Sequence, residues 1–369
     1  MKQQRIALIG LGLIGGSLGL ALCRKQQKVW VVGYDPVAET CREALSRQVV
    51  HEIAPSLVAA VQGADLVVLA VPVEKMKDVV LAIAPALSPG TILTDVASTK
   101  GQLAQSLPLL LPKGVYYVGG HPMAGSEQSG LAAADPFLFQ NAVYLLTPAP
   151  GTPPAVLATL EEFIRMVGGL PLLLTPEEHD LMVAVVSHLP HLIAASLVNV
   201  AVDFNEQYPG TLSLAAGGFH DTTRVAMGSP ALWREILASN RRSLLPVLRA
   251  LAAEVEALTA AIAAGEMGAL EARLQRAAVA RTELPARRKG FLTLLYELVV
   301  VIEDRPGAIA EVIEIIKTVN IKDIEILRVR EGEGGTLRLA FENEEALAEA
   351  VRLLRNHGFQ TQVRGGQGR

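Results

Sequence analysis

The sequence is short of cysteine: Cys23 and Cys41 are the only two in 369 residues. Two thiols cannot build the disulfide framework that staples small secreted domains. Runs of like charge are missing as well, and 33 basic against 37 acidic residues leave a net charge of −4. So even a balance gives neither the basic footprint of a nucleic-acid binder nor an acidic tail. No stretch reaches the roughly 18 uninterrupted apolar residues of a membrane-spanning helix. The opening "MKQQRIALIGLGLIGGSLGLALCRKQ" has the basic start and apolar run of a secretory signal, but five glycines interrupt it. A signal segment has no use for that spacing. The expectation is a cytoplasmic protein with no membrane and no nucleic-acid partner.

What is present falls into three territories, because the chain is long for a single core. Residues 1–150 alternate short apolar runs ("RIALIG", "KVWVVGYD", "ADLVVLAVP", "TILTDVAS", "VYYVGG", "AVYLLTP") with amphipathic stretches such as "VEKMKDVVLAIAPAL". Buried strands alternating with helices indicate a mostly parallel, doubly wound Rossmann-type α/β sheet covered on both faces. A proline-rich break, "TPAPGTPP", follows, and then one more strand-like run, "LPLLLTP". Residues 151–288 read as an all-α middle domain, rich in alanine and leucine and in places apolar nearly all round, as in "LMVAVVSHLPHLIAASLVNVAV". Such helices must be buried against others, either in a self-contained bundle or in one interlocked between two subunits. After "LPARRKG", residues 291–364 read strand, helix, strand, strand, helix, strand, the ferredoxin-like plan.

The motif Gly10-x-Gly12-x-x-Gly15 follows a strand and opens a helix, the context in which it signals a dinucleotide site. Gly10 makes the tight turn, Gly12 lets backbone approach a pyrophosphate, and Gly15 lets the helix pack on the strand. Asp35 ends the second strand twenty residues beyond Gly15, where a carboxylate bonds ribose hydroxyls and repels a 2′-phosphate. That favours NAD over NADP, although Arg42 or Arg47 could reach a 2′-phosphate. Val71, in "AVP", ends the next long strand on the ligand-bearing edge, and Ser98 and Thr99, in "DVASTKG", end the one after it. The two hydroxyls could bond cofactor or substrate, or cap the following helix.

Histidine is scarce, with seven in the chain, and one stands in "YVGGHPMAGSEQSG". His121 emerges at the same edge behind two glycines, read as bringing backbone close to a ligand. An alcohol oxidised by NAD needs a proton acceptor, and imidazole suits that role. In "SHLPH", Pro190 should kink a helix, with His188 and His191 on one face beside the kink. They read as core histidines or as groups facing the cleft; a zinc site lacks further ligands at familiar spacing. In "GGFHDTTR", His220, Asp221 and Arg224 cluster, and Arg224 could clamp a substrate carboxylate or pair with Asp221.

In their order and approximate spacing, "GLGLIGGSLG", "DVASTKG", "GGHPMAGSEQSG", "SHLPH" and "GGFHDTTR" resemble the prephenate/arogenate dehydrogenase family of tyrosine biosynthesis over essentially the whole chain. "IEDRPGAIAEV" is similar to the opening of an ACT domain, a small ligand-sensing module. The resemblance implies NAD-dependent oxidative decarboxylation of prephenate to 4-hydroxyphenylpyruvate by a homodimer. It implies that His121 receives the ring-hydroxyl proton, that Ser98 holds His121 and the nicotinamide in register, and that Arg224 binds the ring carboxylate. His191 would position substrate, Glu127 would act at the mouth of the site, and His220 would contact the side-chain carboxylate. Asp304, Pro306 and Gly307 would bind an aromatic effector, tyrosine. The rivals are an arogenate dehydrogenase, a β-hydroxyacid dehydrogenase, which would need a catalytic lysine where "SHLPH" stands, and a non-enzymatic NAD and amino-acid sensor.

Overall fold

The computed structural model describes residues 3–24, 29–125, 128–283, 296–303, 305–330 and 334–364. It divides into two compact units, Met1–Gly290 and Phe291–Arg369. In the first, eight strands form one sheet: β1 (Gln4–Ile9), β2 (Val29–Tyr34), β3 (Glu52–Ile53), β4 (Leu66–Leu69), β5 (Ile92–Asp95), β6 (Tyr116–Pro122), β7 (Val143–Pro148) and β8 (Leu170–Leu173). The spatial order is β3-β2-β1-β4-β5-β6-β7-β8. β1 to β6 run parallel, β7 reverses against β6, and β8 runs parallel to β7.

Period-two alternation sends Ile6 and Leu8 of β1 into one buried cluster and Ala7 and Ile9 into the other. Helices α1 (Leu13–Cys23) and α6 (Pro154–Met166) supply the first cluster. Between them in sequence come α2 (Ala38–Ser46), α3 (Leu57–Val61), α4 (Val73–Ile83) and α5 (Gly101–Ser106), of which α3, α4 and α5 supply the second. In α6, Val156, Leu160, Phe163 and Ile164 recur at helical spacing and are buried. Each contributes about 1.5–3 kcal/mol by burial.

That helix moves a boundary. A domain end was expected at residue 150, but α6 and β8 belong to the sheet, which runs to Leu173. The prolines of "TPAPGTPP" do not separate domains. Pro153 and Pro154 stand at the N-cap and first position of α6, where a missing N–H costs nothing.

Beyond the sheet come α7 (Pro176–Val183), α8 (Leu189–Gln207), α9 (Gly217–Thr223), α10 (Pro230–Ser239), α11 (Arg241–Ala264) and α12 (Met267–Glu283). Pro190, expected to kink a helix, stands in the first turn of α8. A wider π-helical turn, Ala184–His188, joins α7 to α8 and gives the proline ring room against the preceding turn. The resulting stretch, Pro176–Gln207, is long and apolar enough by length and composition to cross a membrane. Scattered polar side chains interrupt its apolar run. Val186, Val200 and Phe204 on it are exposed in the single chain.

The second unit contains β9 (Tyr296–Ile302), α13 (Ala308–Ile315), β10 (Ile321–Arg330), β11 (Gly334–Phe341), α14 (Glu344–Asn356) and β12 (Thr361–Arg364). Its antiparallel sheet has the order β10-β11-β9-β12. Leu298, Val300, Leu337 and Leu339 pack against Val312 and Leu354 of the two helices.

The paired glycines of β6 serve this packing. A Cβ on Gly119 would lie 2.5 Å from Thr147 Oγ1 and 2.7 Å from Lys100 Cδ. On Gly120 it would lie 2.5 Å from the Asp95 carbonyl oxygen and 2.9 Å from Thr94 Oγ1. The space over both residues is filled by protein, not left for a ligand as the sequence suggested. Gly120→Ala should therefore lower the free energy of unfolding by about 1–3 kcal/mol. Urea denaturation checks this, and an unchanged midpoint would contradict the packing described.

Candidate active site

The carboxyl ends of β1, β4, β5 and β6 meet along one edge, where open α/β sheets bind ligands. At β1, Gly10 has φ +93°, and a Cβ there would lie 2.4 Å from the Ala70 carbonyl oxygen, so only glycine fits. Beside that point stands Val71, whose Cγ1 would be 3.1 Å away. A Cβ on Gly15 would strike the Gly10 carbonyl oxygen at 2.0 Å, whereas Gly12 faces open space. This is the cradle that a pyrophosphate needs, at the uncapped start of α1.

Asp35 holds the cradle from the next strand: its Oδ2 accepts from Leu11 N at 3.0 Å and its Oδ1 from Val37 N at 2.9 Å. The arginines that could have served a 2′-phosphate are engaged elsewhere. Arg42 pairs with Glu39, and Arg47 bonds Glu43 and the Leu131 carbonyl. Gly10, Gly12, Gly15 and Asp35 thus fit a dinucleotide, and NAD supplies a hydride acceptor when bound there.

His121 lies at the end of β6 on the same edge, partly accessible but densely surrounded. Its Nδ1 is 2.9 Å from His179 Nε2, and His179 Nδ1 is 2.9 Å from Asp180 Oδ1. The tautomers follow from the far end. An ionised carboxylate only accepts, so His179 carries its proton on Nδ1 and presents Nε2 as acceptor. His121 must then donate through Nδ1, which leaves its Nε2 unprotonated. A lone pair is thereby left on Nε2. Burial pushes the His121 imidazole well below its ordinary range, and the Lys100 ammonium adds to the shift.

Asp180 is anchored on both oxygens. Lys100 N donates to Oδ1 at 2.7 Å and Gly101 N to Oδ2 at 2.8 Å. Burial raises the Asp180 carboxyl, but the hydrogen bonds from His179, Lys100 and Gly101 outweigh it and bring it below the usual range. Asp180 therefore caps α5, a role expected of Ser98 or Thr99; Thr99 Oγ1 instead bonds Ser239 Oγ at 2.9 Å. Beneath this turn, the fully buried Lys100 ammonium meets Asp95 Oδ1 at 2.5 Å, and Tyr117 donates to Asp95 Oδ2 at 2.7 Å.

Neither His179 nor Asp180 was singled out from the sequence. The signal was there in "TPEEHD": Thr175 and Glu178 form a capping box with Pro176 at the first helical position. That start phases α7 so that His179, Asp180 and Val183 are its buried face. A His-Asp pair on an otherwise apolar face needs an explanation.

The other predicted residues separate. His188 is buried; Asn240 Nδ2 stands 3.1 Å from its Nδ1, and burial lowers its pKa to about 4. His191 stacks on Trp233 with ring centroids 3.6 Å apart, and its Nδ1 is buried without a partner; burial lowers its pKa, which the backbone at Val225 partly offsets. Trp233 also meets His188 edge-on, so both histidines share one face, as expected. The turn Arg224–Met227 packs against α8, with Arg224 exposed. His121, His188, His191 and the Arg224 turn are thus joined in one continuous cluster. His220 is exposed, 6.5 Å from the Phe219 ring. Ser98 is partly exposed at the edge, and among the described residues no hydrogen bond joins it to His121; His179 takes that place. Glu127 and Asp304 lie outside the described residues.

A glycine cradle at the switch edge of the sheet and a neutral imidazole base beside it define an NAD-dependent oxidoreductase. Comparisons with known proteins narrow the class. Residues 18–173 match the nucleotide-binding domain of prephenate dehydrogenase, and residues 175–276 match its dimerization domain. Prephenate dehydrogenase of Bacillus subtilis is 36% identical over 350 residues, covering 94% of each chain. The crystal structure of A. aeolicus prephenate dehydrogenase with hydroxyphenyl propionate and NAD+ superposes with a TM-score of 0.72 at 29% identity, covering 77% of this chain and 99% of that one. Synechocystis arogenate dehydrogenase gives 0.68 at 33% identity, over 76% and 100%. The chain belongs to the prephenate dehydrogenase family.

His179→Phe removes the group that fixes the His121 tautomer. Turnover should fall about 10–10²-fold, part of the roughly 10²–10⁴ that a positioned base contributes, with KM little changed. In the parent, the acid loss of turnover should fall below pH 6.5, because the depressed imidazole stays neutral there. Steady-state kinetics across pH test both statements; a parent limb above pH 6.5 would contradict the second.

Proposed function

We propose that the chain catalyses oxidative decarboxylation of prephenate to 4-hydroxyphenylpyruvate with NAD. The observation that carries this reading is the Asp180–His179–His121 chain, which ends in an unprotonated nitrogen at the cofactor edge. His121 Nε2 takes the proton of the ring hydroxyl as that carbon is oxidised. The substrate loses its ring carboxylate as CO2, and aromatisation drives the step. Arg224 binds this carboxylate for orientation. Strong pairing would stabilise the ground state against losing CO2, so its contribution lies in binding rather than in the chemical step.

Ser98 serves the nicotinamide side of the edge, and His191, stacked on Trp233, braces the substrate wall. Glu127 acts at the mouth, and His220 reaches the side-chain carboxylate. The exposed apolar residues of Pro176–Gln207 lie within the stretch that matches a dimerization domain, which supports a homodimer. A cytoplasmic location accords with this chemistry.

Arogenate, the aminated counterpart, is the second reading, favoured by the likeness to the Synechocystis enzyme. A sensor without catalysis would have no need of a tautomer-fixed base. Mixing protein and NAD with prephenate and, separately, with arogenate should raise NADH absorbance faster with prephenate. Arg224→Ala should raise KM far more than it lowers turnover. His121→Asn should lower turnover about 10²–10⁴-fold and leave affinity similar. The reverse pattern would remove these assignments.

The second unit fits an ACT-type module, with its strand-helix-strand-strand-helix-strand order. Asp304, Pro306 and Gly307 would take tyrosine as a feedback effector; Gly307 has φ +88° and an open face where backbone can approach a ligand. Titration calorimetry on the full chain should show tyrosine binding together with inhibition. An absence of heat at inhibitory concentrations would rule out this site.

A further inference from the structure

Asp180 holds a second histidine through its backbone. Its carboxylate orders His179 and His121, while its main-chain carbonyl accepts from Asn240 Nδ2 at 2.8 Å. The same amide nitrogen stands 3.1 Å from His188 Nδ1. We infer that Asn240 is a positioning residue: it fixes His188 as the tautomer protonated on Nε2, and so gives the site a hydrogen-bond donor to match the acceptor on His121.

Three observations carry the assignment. First, the carboxamide can point only one way. A backbone carbonyl never donates, so the atom 2.8 Å from it is the amide nitrogen. The second amide hydrogen then falls to His188 Nδ1, which accepts it. A flipped amide would set two oxygens against each other. A neutral imidazole that accepts on Nδ1 carries its proton on Nε2. Burial holds His188 down at about 4, so near neutral pH the ring bears one proton and only its position is left to decide.

Second, Asn240 is 1% exposed, and its Oδ1 is buried without a partner. A buried acceptor left unmade opposes folding. An apolar side chain of the same size would avoid that cost but could not donate to two acceptors at once. The contribution of Asn240 therefore lies in its two N–H groups.

Third, His188 Nε2 is left for a ligand. Among the described residues nothing hydrogen-bonds it, and unlike His191 Nδ1 it is not sealed. Around the ring stand Asp180 and His179 of α7, His191 of α8, and Trp233 of α10, which meets it edge-on. His188 also acts electrostatically on His121, so the two rings share the site.

Residue 180 thus sets two protons in opposite senses. His121 offers a bare Nε2, and His188 offers an N–H. Such a donor suits an acceptor oxygen of the bound reactants, on the nicotinamide carboxamide or on a substrate carboxylate. That use rests on the proposed function; the tautomer does not.

Long-range proton–nitrogen correlation NMR on the full chain, with isotope-labelled histidine, reads each tautomer directly, and His188→Gln identifies the His188 signals. The parent should show His188 protonated on Nε2 and His121 on Nδ1. Asn240→Asp removes the donor facing His188 Nδ1, so His188 should carry a proton there while His121 keeps its pattern. One KM should rise about tenfold, the worth of a single hydrogen bond: that for NAD if the oxygen is the carboxamide's, that for prephenate if it is the substrate's. Where the carboxylate is not tolerated, Asn240→Leu serves: His188 should lose its single tautomer, with the same rise in KM. A parent His188 protonated on Nδ1, or a His188 pattern unchanged in both variants, would overturn the assignment. An altered tautomer with both KM values unchanged would overturn the donor role. Should neither prephenate nor arogenate yield NADH, the spectra still decide the tautomer.

Discussion

The arrangement at the ligand-bearing edge depends on one buried carboxylate. Asp180 accepts from two backbone N–H groups at the start of α5 and from the His179 ring. A charge withdrawn from water is costly unless hydrogen bonds replace its hydration, and charge-assisted bonds are the stronger kind. Because both oxygens are committed, Asp180 cannot turn, and α7 is pinned to the loop that follows β5. The same atoms settle which nitrogen of His121 is free. Structure and proton inventory are decided by a single contact.

Beneath that contact lies a second buried pair, Lys100 with Asp95, completed by Tyr117. An isolated ammonium in this position would be untenable, and its partner makes it tolerable without making it a source of stability. Its consequence is electrostatic. A positive charge beneath His121 opposes protonation of the imidazole, so the residue rests as a base. Room for the Lys100 stem comes from the missing side chain of Gly119. The glycines that open "GGHP" thus serve the base from below and not the ligand from above.

Much of the sheet was legible from the chain. The strand runs, the glycine cradle, Asp35 and the edge position of His121 follow from periodicity and from spacing within one βαβ unit. Short-range features of this kind need no knowledge of distant partners. Three features depended instead on distant partners. The prolines near 150 looked like a linker because turn chemistry and helix initiation use the same residues. Pro190 was expected to kink a helix, but the π turn that accommodates it depends on packing. The family resemblance made Ser98 the partner of His121, while in the fold His179, on the helix after the last strand of the sheet, stands at hydrogen-bond distance from it.

Local pattern, then, determined the elements and the cofactor cradle: alternation, helical spacing and glycine backbone freedom act over a few residues and are written in them. Tertiary structure decided the base. His121 and His179 stand 58 positions apart, and Lys100 and Asp180 stand 80 apart. Hydrogen-bond geometry between such residues exists only after the sheet and the helices have closed on each other, since directionality and burial belong to assembled atoms and not to their order along a chain.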